Sequence, residues 1–207
     1  MIDNIELFAQ SALKIKWHNK NIYFDPFKIN NNYNDADYIF ITHSHYDHFS
    51  LEDILKVKND NTKIIVTSDL IDKVKGIFKE IITVLPNKDY IVDDINFKTT
   101  YAYNINKQFH KKEYGWVGYI LNLDDVIYVA GDTDFVSELE DIECDIACVP
   151  IGGTYTMDKY EASNLIKTIK PKYVIPIHYE TIVGSKMDAL EFKDILKNVT
   201  IVKIIDF

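Results

Sequence analysis

The stretch Thr42-His43-Ser44-His45-Tyr46-Asp47-His48 points to both the fold and the chemistry of this 207-residue chain. Three of the chain's six histidines fall within it. His43 directly follows residues 37–42, an apolar, β-branched run that predicts a buried strand. Loops at strand ends can present ligands from a rigid scaffold, and imidazole and carboxylate groups suit Zn²⁺ and similar ions. The cluster therefore predicts a catalytic metal site.

The overall composition is that of a globular protein, with 47% hydrophobic and 27% charged residues. This length and balance predict one domain over residues 1–207. No apolar run approaches the ~20 residues that a membrane span needs. Residues 1–6 lack the basic and apolar regions of a signal peptide. We therefore expect a cytoplasmic protein with no membrane partner.

The charge of the chain bears on its partners. The net charge is -9, and all 23 basic residues are lysine. An acidic chain repels phosphate backbones, so nucleic acid is disfavoured as a partner. Without arginine the chain has no guanidinium fork for bidentate phosphate binding, although lysine can still bind phosphate as a point charge. A small-molecule substrate is therefore expected.

Apolar periodicity and turn residues predict many strands and a few helices. The predicted strands are 5–8, 12–17, 22–24, 37–42, 63–67, several within 81–103, 116–123, 126–130, 146–151, 172–177 and 199–205. The predicted helices are 50–57, 69–75, 158–169 and 189–196. Two sheets with helices outside them would bury these strands, which predicts the α+β class.

Two residues outside the cluster also have the properties of ligands. Asp132 follows an apolar strand, Gly131 allows a tight turn there, and a carboxylate can bridge two cations. The alternative for Asp132 is a turn or helix cap. His178 ends another apolar strand, and its alternative is a core histidine. Asp25 and Asp134 each either accept a hydrogen bond from a ligating histidine or serve in turns.

The sequence resembles the metallo-β-lactamase superfamily. Residues 42–48 match its H-x-H-x-D-H signature, and residues 128–133 resemble the strand whose aspartate bridges two metals. Residues 150–157 and 175–179 are similar to the branch of ascorbate-6-phosphate lactonase-like proteins. The resemblance covers nearly the whole chain. It implies an αββα sandwich, in which two packed β-sheets carry helices on their outer faces.

The resemblance also implies a binuclear metal site. Many family members carry a further histidine where this chain has residues 100–104, so that role is carried to His110, with Asn104 as an alternative oxygen ligand. The expected metals are two Zn²⁺, with Mn²⁺ or Fe²⁺ as alternatives. The implied ligands are His43, His45 and His110 on one ion, Asp47, His48 and His178 on the other, and Asp132 between them.

The implied reaction is hydrolysis by a hydroxide that bridges the two metals. Asp47 and Asp132 are then the catalytic residues, and Asp47 shuttles a proton after bond breaking. The expected substrate is a small molecule with a lactone or other ester-like bond. The alternatives are a phosphodiesterase or nuclease of the same fold, or a non-catalytic metal-binding protein. The expected substrate-binding residues are Gly153, Thr154, Tyr155 and Tyr179.

Three further expectations concern a helix cap, the two cysteines and self-association. Residues 152–157 are expected to bind an anionic or carbonyl oxygen, or to form a loop in which Thr156 caps the helix that follows, and the two roles are compatible. If Cys144 and Cys148 lie on one strand, roughly 13 Å separates them, which is too far for a disulfide, so both are expected to be reduced, packed thiols. Family analogy suggests a homo-oligomer.

Overall fold

The structure is a computed structural model that describes residues 1–206, and it contains two compact units. The first unit comprises Met1–Leu85 with Asp206, and the second comprises Pro86–Ile205. The single domain expected over residues 1–207 stays a prediction, and its last residue, Phe207, lies outside the described residues.

A six-stranded mixed sheet forms the first unit. The strands follow one another in chain order across the sheet. The first three pair antiparallel and the remaining neighbours pair parallel. The strands are β1 (Ile5–Ala9), β2 (Ala12–Trp17), β3 (Lys20–Phe24), β4 (Ala36–Phe40), β5 (Lys58–Thr67) and β6 (Glu80–Val84).

Two helices connect the parallel strands of this unit, α1 (Leu51–Val57) and α2 (Ile71–Val74). The predicted start of α1 is confirmed, because the Ser50 hydroxyl accepts a hydrogen bond from the backbone N–H of Asp53 at 3.3 Å. Apolar side chains of both helices pack with those of β3, β4 and β5 in one core cluster. Burial of this apolar surface fixes the sheet, and with it the loop that follows β4.

A seven-stranded mixed sheet forms the second unit. Four strands pair antiparallel as a meander, and the last three continue the sheet in parallel. As in the first sheet, strands that follow one another in the chain lie next to one another. The strands are β7 (Asp89–Val92), β8 (Ile95–Tyr101), β9 (Val117–Asn122), β10 (Val126–Val129), β11 (Ile146–Pro150), β12 (Tyr173–Ile177) and β13 (Ile201–Val202).

Two longer helices cover the parallel part of this sheet, α3 (Lys159–Ile169) and α4 (Lys186–Leu196). Leu165 of α3 and Phe192 of α4 are fully buried in the core cluster that they share with β10, β11 and β12. The helix α3 is capped by Asp158, whose carboxylate accepts from the backbone N–H groups of Tyr160 and Glu161 at 2.9 and 2.8 Å. The expectation that Thr156 caps this helix is therefore wrong.

The observed elements confirm the predicted α+β class, with corrections to several boundaries. The helix predicted over 189–196 begins at Lys186, and the helix predicted over 69–75 covers only Ile71–Val74. β5 begins at Lys58, five residues before the predicted strand, within a polar stretch that carries no apolar signal. β13 covers only Ile201–Val202 of the predicted 199–205, because it pairs only with Tyr173 and Val174 of β12. No helix in residues 1–206 is both long and apolar enough to cross a membrane.

Candidate metal centre

The donors of the first unit all lie on the loop between β4 and α1. His43 and His48 are 1% and 0% exposed, Asp47 is 7% exposed, and His45 is half-buried. The loop is tight, since the backbone N–H groups of His48 and Phe49 both donate to the carbonyl of His45. His43 Nε2 lies 3.2 Å from His45 Nδ1. The structure thus brings the four predicted donors of this unit onto one short turn.

Asp25, which follows β3, binds the Nδ1 side of the His48 ring. Asp25 Oδ2 accepts from His48 Nδ1 at 2.7 Å and from the Thr42 hydroxyl at 2.6 Å, while Oδ1 accepts from the Thr42 backbone N–H at 2.8 Å. Burial raises the pKa of the Asp25 carboxyl, and the contacts to His48 and Thr42 oppose that rise. Because Nδ1 donates to the carboxylate, Nε2 carries the lone pair that a metal needs.

From the sequence, Asp25 is expected either to serve in a turn or to accept a hydrogen bond from a ligating histidine. Its hydrogen bond from His48 favours the second interpretation. The same Thr42 hydroxyl also lies 3.0 Å from His43 Nδ1. On the opposite side of the ring, His48 Nε2 lies 3.6 Å from Asp47 Oδ2. Thr42 therefore links both imidazoles to one buried carboxylate, a role that the sequence analysis did not assign to it.

The donors of the second unit come from three separate loops. Asp132 follows β10, His178 follows β12, and His110 lies between β8 and β9. Each is 3% exposed or less. Asp132 Oδ2 lies 3.2 Å from His110 Nε2 and 3.1 Å from His178 Nε2. Two imidazoles therefore converge on one carboxylate oxygen, which is the arrangement expected of residues that share a cation.

Asn104 orients His110. Its side-chain oxygen accepts from His110 Nδ1 at 3.0 Å and from the His110 backbone N–H at 3.1 Å. Its amide nitrogen donates to Asp134 Oδ1 at 3.0 Å and to the Tyr155 carbonyl at 2.9 Å. The alternative that left His110 exposed among lysines is wrong, since this side chain is 1% exposed. Asn104 directs its oxygen at the ring of His110.

Asp134 extends the hydrogen bonds that begin at His110 and Asn104. Its carboxylate accepts from Asn104, from the Ile105 backbone N–H at 3.0 Å, and from Lys107 Nζ at 2.5 Å. Lys107 also donates to the Thr156 carbonyl at 2.7 Å. Asp134 thus supports His110 through Asn104, which answers the question that the sequence left open. The sequence carries no signal for the part that Lys107 plays.

The predicted substrate-binding residues lie in different environments. Gly153 has a φ of +87° and Thr154 is exposed. The half-buried Tyr155 contacts Phe109 edge to face, with 4.7 Å between the ring centroids. The backbone N–H of Gly153 already donates to the Met157 carbonyl. Tyr179 is 1% exposed within the apolar core of the second unit, and its contact with substrate stays a prediction.

The two cysteines do not share a strand, and of the two only Cys148 is fully buried. Both are free thiols; Cys148 is buried on β11 and Cys144 lies just before that strand. Burial raises the pKa of Cys144 to about 12 and raises that of Cys148 as well. Neither thiol is therefore suited to act as a nucleophile or metal ligand near neutral pH.

The chemistry of both donor sets fits divalent metal ions. Imidazole nitrogens and carboxylate oxygens are the ligands of catalytic zinc sites, and such imidazoles usually donate their other N–H to a fixed acceptor. Here His48 is held by Asp25 and His110 by Asn104, so both rings present Nε2 towards a carboxylate of their own unit.

Comparison with known proteins agrees with this chemistry. Residues 4–178 match the family described as the Beta-lactamase superfamily domain. A metal-dependent hydrolase of Thermoplasma acidophilum is 32% identical, over 87% of this chain and 89% of that protein. One of Nanoarchaeum equitans is 33% identical, over 91% and 89%.

The fold is found in solved structures as well. A crystal structure from Parabacteroides distasonis, named as that of a metal-dependent hydrolase, has a TM-score of 0.85 and 28% identity. The match covers 97% of this chain and 91% of that one. The predicted metallo-β-lactamase fold is thereby confirmed, whereas the likeness to the ascorbate-6-phosphate lactonase-like branch stays a prediction. The family match, the relatives and the fold together show that the chain belongs to the beta-lactamase superfamily, among its metal-dependent hydrolases.

Proposed function

We propose that this metal-dependent hydrolase binds two metal ions, Zn²⁺ first among them, and cleaves a lactone or other ester-like bond of a small molecule. One observation carries the proposal. Asp132 Oδ2 has the Nε2 atoms of His110 and His178 at 3.2 and 3.1 Å, and all three side chains are buried. Burying two imidazole nitrogens against one carboxylate oxygen costs free energy unless a cation is shared among the three groups.

The proposed ligands are the seven donors that the resemblance implies. A bound divalent ion lowers the pKa of a coordinated water to ~7 and so supplies a nucleophile at neutral pH. Asp25 and Asn104 keep their imidazoles in the tautomer that presents Nε2. Asp47 would accept the proton that the attacking water loses and pass it to the leaving group after the bond has broken. The proposed ligands are His43, His45, Asp47, His48, His110, Asp132 and His178.

The surroundings of His110 support an acyl substrate of modest size. Phe109 is 42% exposed and contacts Tyr155, whose carbonyl is held by Asn104. These two rings form an apolar surface beside His110, the proposed ligand that follows Phe109 in the chain. Without arginine, the chain is poorly equipped to clamp a phosphodiester.

The proposal is tested with protein stripped of metal and reloaded with Zn²⁺ or Mn²⁺. We expect turnover of simple lactones and of p-nitrophenyl acetate, and less turnover of bis-p-nitrophenyl phosphate. Metal analysis should find two ions per chain, and His178→Ala and Asp132→Asn should reduce both metal content and turnover. Asn122→Ala, an exposed strand residue of the same unit, is the matched control.

Three outcomes would contradict the proposal. Turnover of phosphodiesters alone would identify a phosphodiesterase or nuclease. Metal binding without turnover of any ester in the panel would favour a non-catalytic metal-binding protein. Metal content unchanged by His178→Ala and Asp132→Asn would remove these residues from the site.

Location and assembly are further proposals. Two free thiols suit a reducing compartment, which supports the expected cytoplasmic location. Ile91 on the edge strand β7 and Ile201 on the edge strand β13 are 75% and 59% exposed, which supports self-association. A molar mass measured by light scattering that equals one 24.1 kDa chain at all concentrations would refute the homo-oligomer.

A further inference from the structure

Backbone strain singles out one residue that has no role so far. Within residues 1–206, ten residues other than glycine have positive φ, and most of them are exposed turn residues. Only three of the ten are buried: Gln10, Asp25 and His178. Two of these three belong to the donor sets, as a supporting carboxylate and as a proposed ligand. The pattern raises the question of what Gln10 does.

Gln10 lies in the tight turn between β1 and β2, with a φ of 54° and no exposed surface. Its side-chain Nε2 donates to Asp47 Oδ2 at 3.2 Å. Its amide oxygen is buried and has no hydrogen-bond partner among the described residues. The bond to Asp47 is therefore the single side-chain hydrogen bond that compensates for burying this amide.

The fold by itself does not favour glutamine at this position. Glycine or asparagine adopts left-handed backbone at less cost than glutamine does. An apolar side chain of the same size would avoid burying an amide oxygen that has no partner. Residues that lower the stability of the fold in this way are expected at functional sites. Glutamine supplies the hydrogen bond to Asp47. Glycine, asparagine or an apolar side chain would not supply it.

We propose that Gln10 is a positioning residue that holds the Asp47 carboxylate in the orientation needed for metal binding and proton transfer. The inference rests on the proposed function, in which Asp47 is a ligand. Oδ2 of Asp47 faces Gln10 Nε2 at 3.2 Å and His48 Nε2 at 3.6 Å. The amide thus fixes the rotation of the carboxylate against its neighbouring imidazole, on a loop otherwise shaped by backbone bonds to His45.

Two variants test the role. Gln10→Met keeps the length of the side chain and removes the donor. Gln10→Asn introduces a residue that tolerates left-handed backbone, but its side chain is one methylene too short to reach Asp47. For both we expect an affinity for Zn²⁺ about 10- to 100-fold weaker, as is typical when a partner of a ligand is lost. The visible spectrum of the Co²⁺-loaded protein should change as well, while the Tm of the metal-free protein should not fall.

The matched control is His18→Met, in the exposed turn between β2 and β3, where φ is 52°. This change should leave Zn²⁺ affinity and the Co²⁺ spectrum as they are. A purely structural role for Gln10 would give the opposite pattern in Gln10→Met and Gln10→Asn, with a lower metal-free Tm and unchanged affinity and spectrum. That result would overturn the proposal.

Asp47→Asn separates failure of this inference from failure of the proposed function. If Asp47→Asn weakens Zn²⁺ binding and the Gln10 variants do not, only the role of Gln10 is refuted. If Asp47→Asn binds Zn²⁺ like the unchanged protein, Asp47 is not a ligand; the role of Gln10 then falls together with the proposed role of Asp47, while hydrolysis of an ester-like bond is decided by the turnover assays. If both proposals hold, Gln10→Met should have no further effect on affinity in the Asp47→Asn background, because the two residues act through one contact.

Discussion

His48 and His110 are held through Nδ1 by two chemically different acceptors. Asp25 offers His48 a buried carboxylate, while Asn104 offers His110 a neutral amide oxygen. A carboxylate raises the basicity of an imidazole ligand more than an amide does. With the proposed ligands, we therefore expect the donors supplied by the two units to bind metal with unequal strength. The sequence alone left Asp25 undecided and treated Asn104 as a competitor of His110.

Asn104→Ala should weaken metal binding without removing a proposed ligand. The change removes the hydrogen bond that holds the His110 ring, so the ring is free to rotate. It also removes the hydrogen bond that Asn104 donates to Asp134. We expect a loss of Zn²⁺ affinity of about 10- to 100-fold, measured by competition with a chelator. Asn122→Ala should leave affinity unchanged. Equal affinities for the two variants would show that Asn104 does not orient a ligand.

Glu138 should make stability depend on pH in the acid range. Its hydrogen bond from Lys112, at 2.5 Å, lowers the pKa of the carboxyl from 4.5 to about 2, with Tyr103 as a second donor. A lowered folded-state pKa adds stability above the unfolded pKa, and that stability is lost as pH falls from about 4.5 towards 2.

The comparison with Glu138→Gln measures this effect. Above pH 5 the variant should have the lower Tm, and the difference between the two proteins should shrink as pH falls through that window. Part of the contribution is screened, because the side chains of Lys112 and Glu138 are 50% and 28% exposed. A difference in Tm that stays constant from pH 7 to pH 2 would contradict the assignment.

At the scale of elements, most of the predicted donors follow the carboxyl end of a strand. β4 leads to His43, β10 to Asp132 and β12 to His178. These strands are buried runs of apolar residues, so the sequence predicts both the strand and the polar residue that ends it. His110 is the exception: it lies in a loop of residues 102–116 that contains only a short 3₁₀ turn, where periodicity gives no guidance.

The cap of α3 illustrates the limits of such signals. Thr156 and Asp158 are both capping residue types, and only the backbone path shows that Asp158 has the extended conformation of a cap while Thr156 is buried. Asp158→Ala should cost about 1 kcal/mol. That loss corresponds to a fall in Tm of roughly 2–4 °C for a protein of this size.

Asp158→Asn serves as the control for this prediction, because asparagine caps helices about as well as aspartate. Its Tm should lie close to that of the unchanged protein. An equal loss for Asp158→Asn and Asp158→Ala would assign the effect to charge near the helix end, and no loss for Asp158→Ala would remove the cap from the stability of α3.

At the scale of the whole molecule, buried donors and metal binding are linked to stability. Several ionisable side chains of the two donor sets are buried, which is costly unless a cation or a hydrogen bond compensates. A ligand that binds only the folded protein stabilises it by mass action. We therefore expect the chain to be most stable when loaded with metal.

Zn²⁺ at about 100 times its Kd should add ~2.7 kcal/mol for a single site. This gain corresponds to a rise in Tm of roughly 5–10 °C over protein treated with a chelator. His178→Ala should show a much smaller rise. Identical melting curves with and without Zn²⁺ would contradict metal binding by the folded chain.

The sequence by itself determined the family, the succession of strands and helices, and the donor types of the site. These follow from apolar periodicity and from residues 42–48, which are local properties of the chain. Only the tertiary structure decided which side chains hold the donors. Asp25 reaches His48 across 23 residues, Gln10 reaches Asp47 across 37, and Asp134 reaches Asn104 across 30. Such contacts depend on strand pairing and loop paths, because residues far apart in the chain meet only when the sheets have formed.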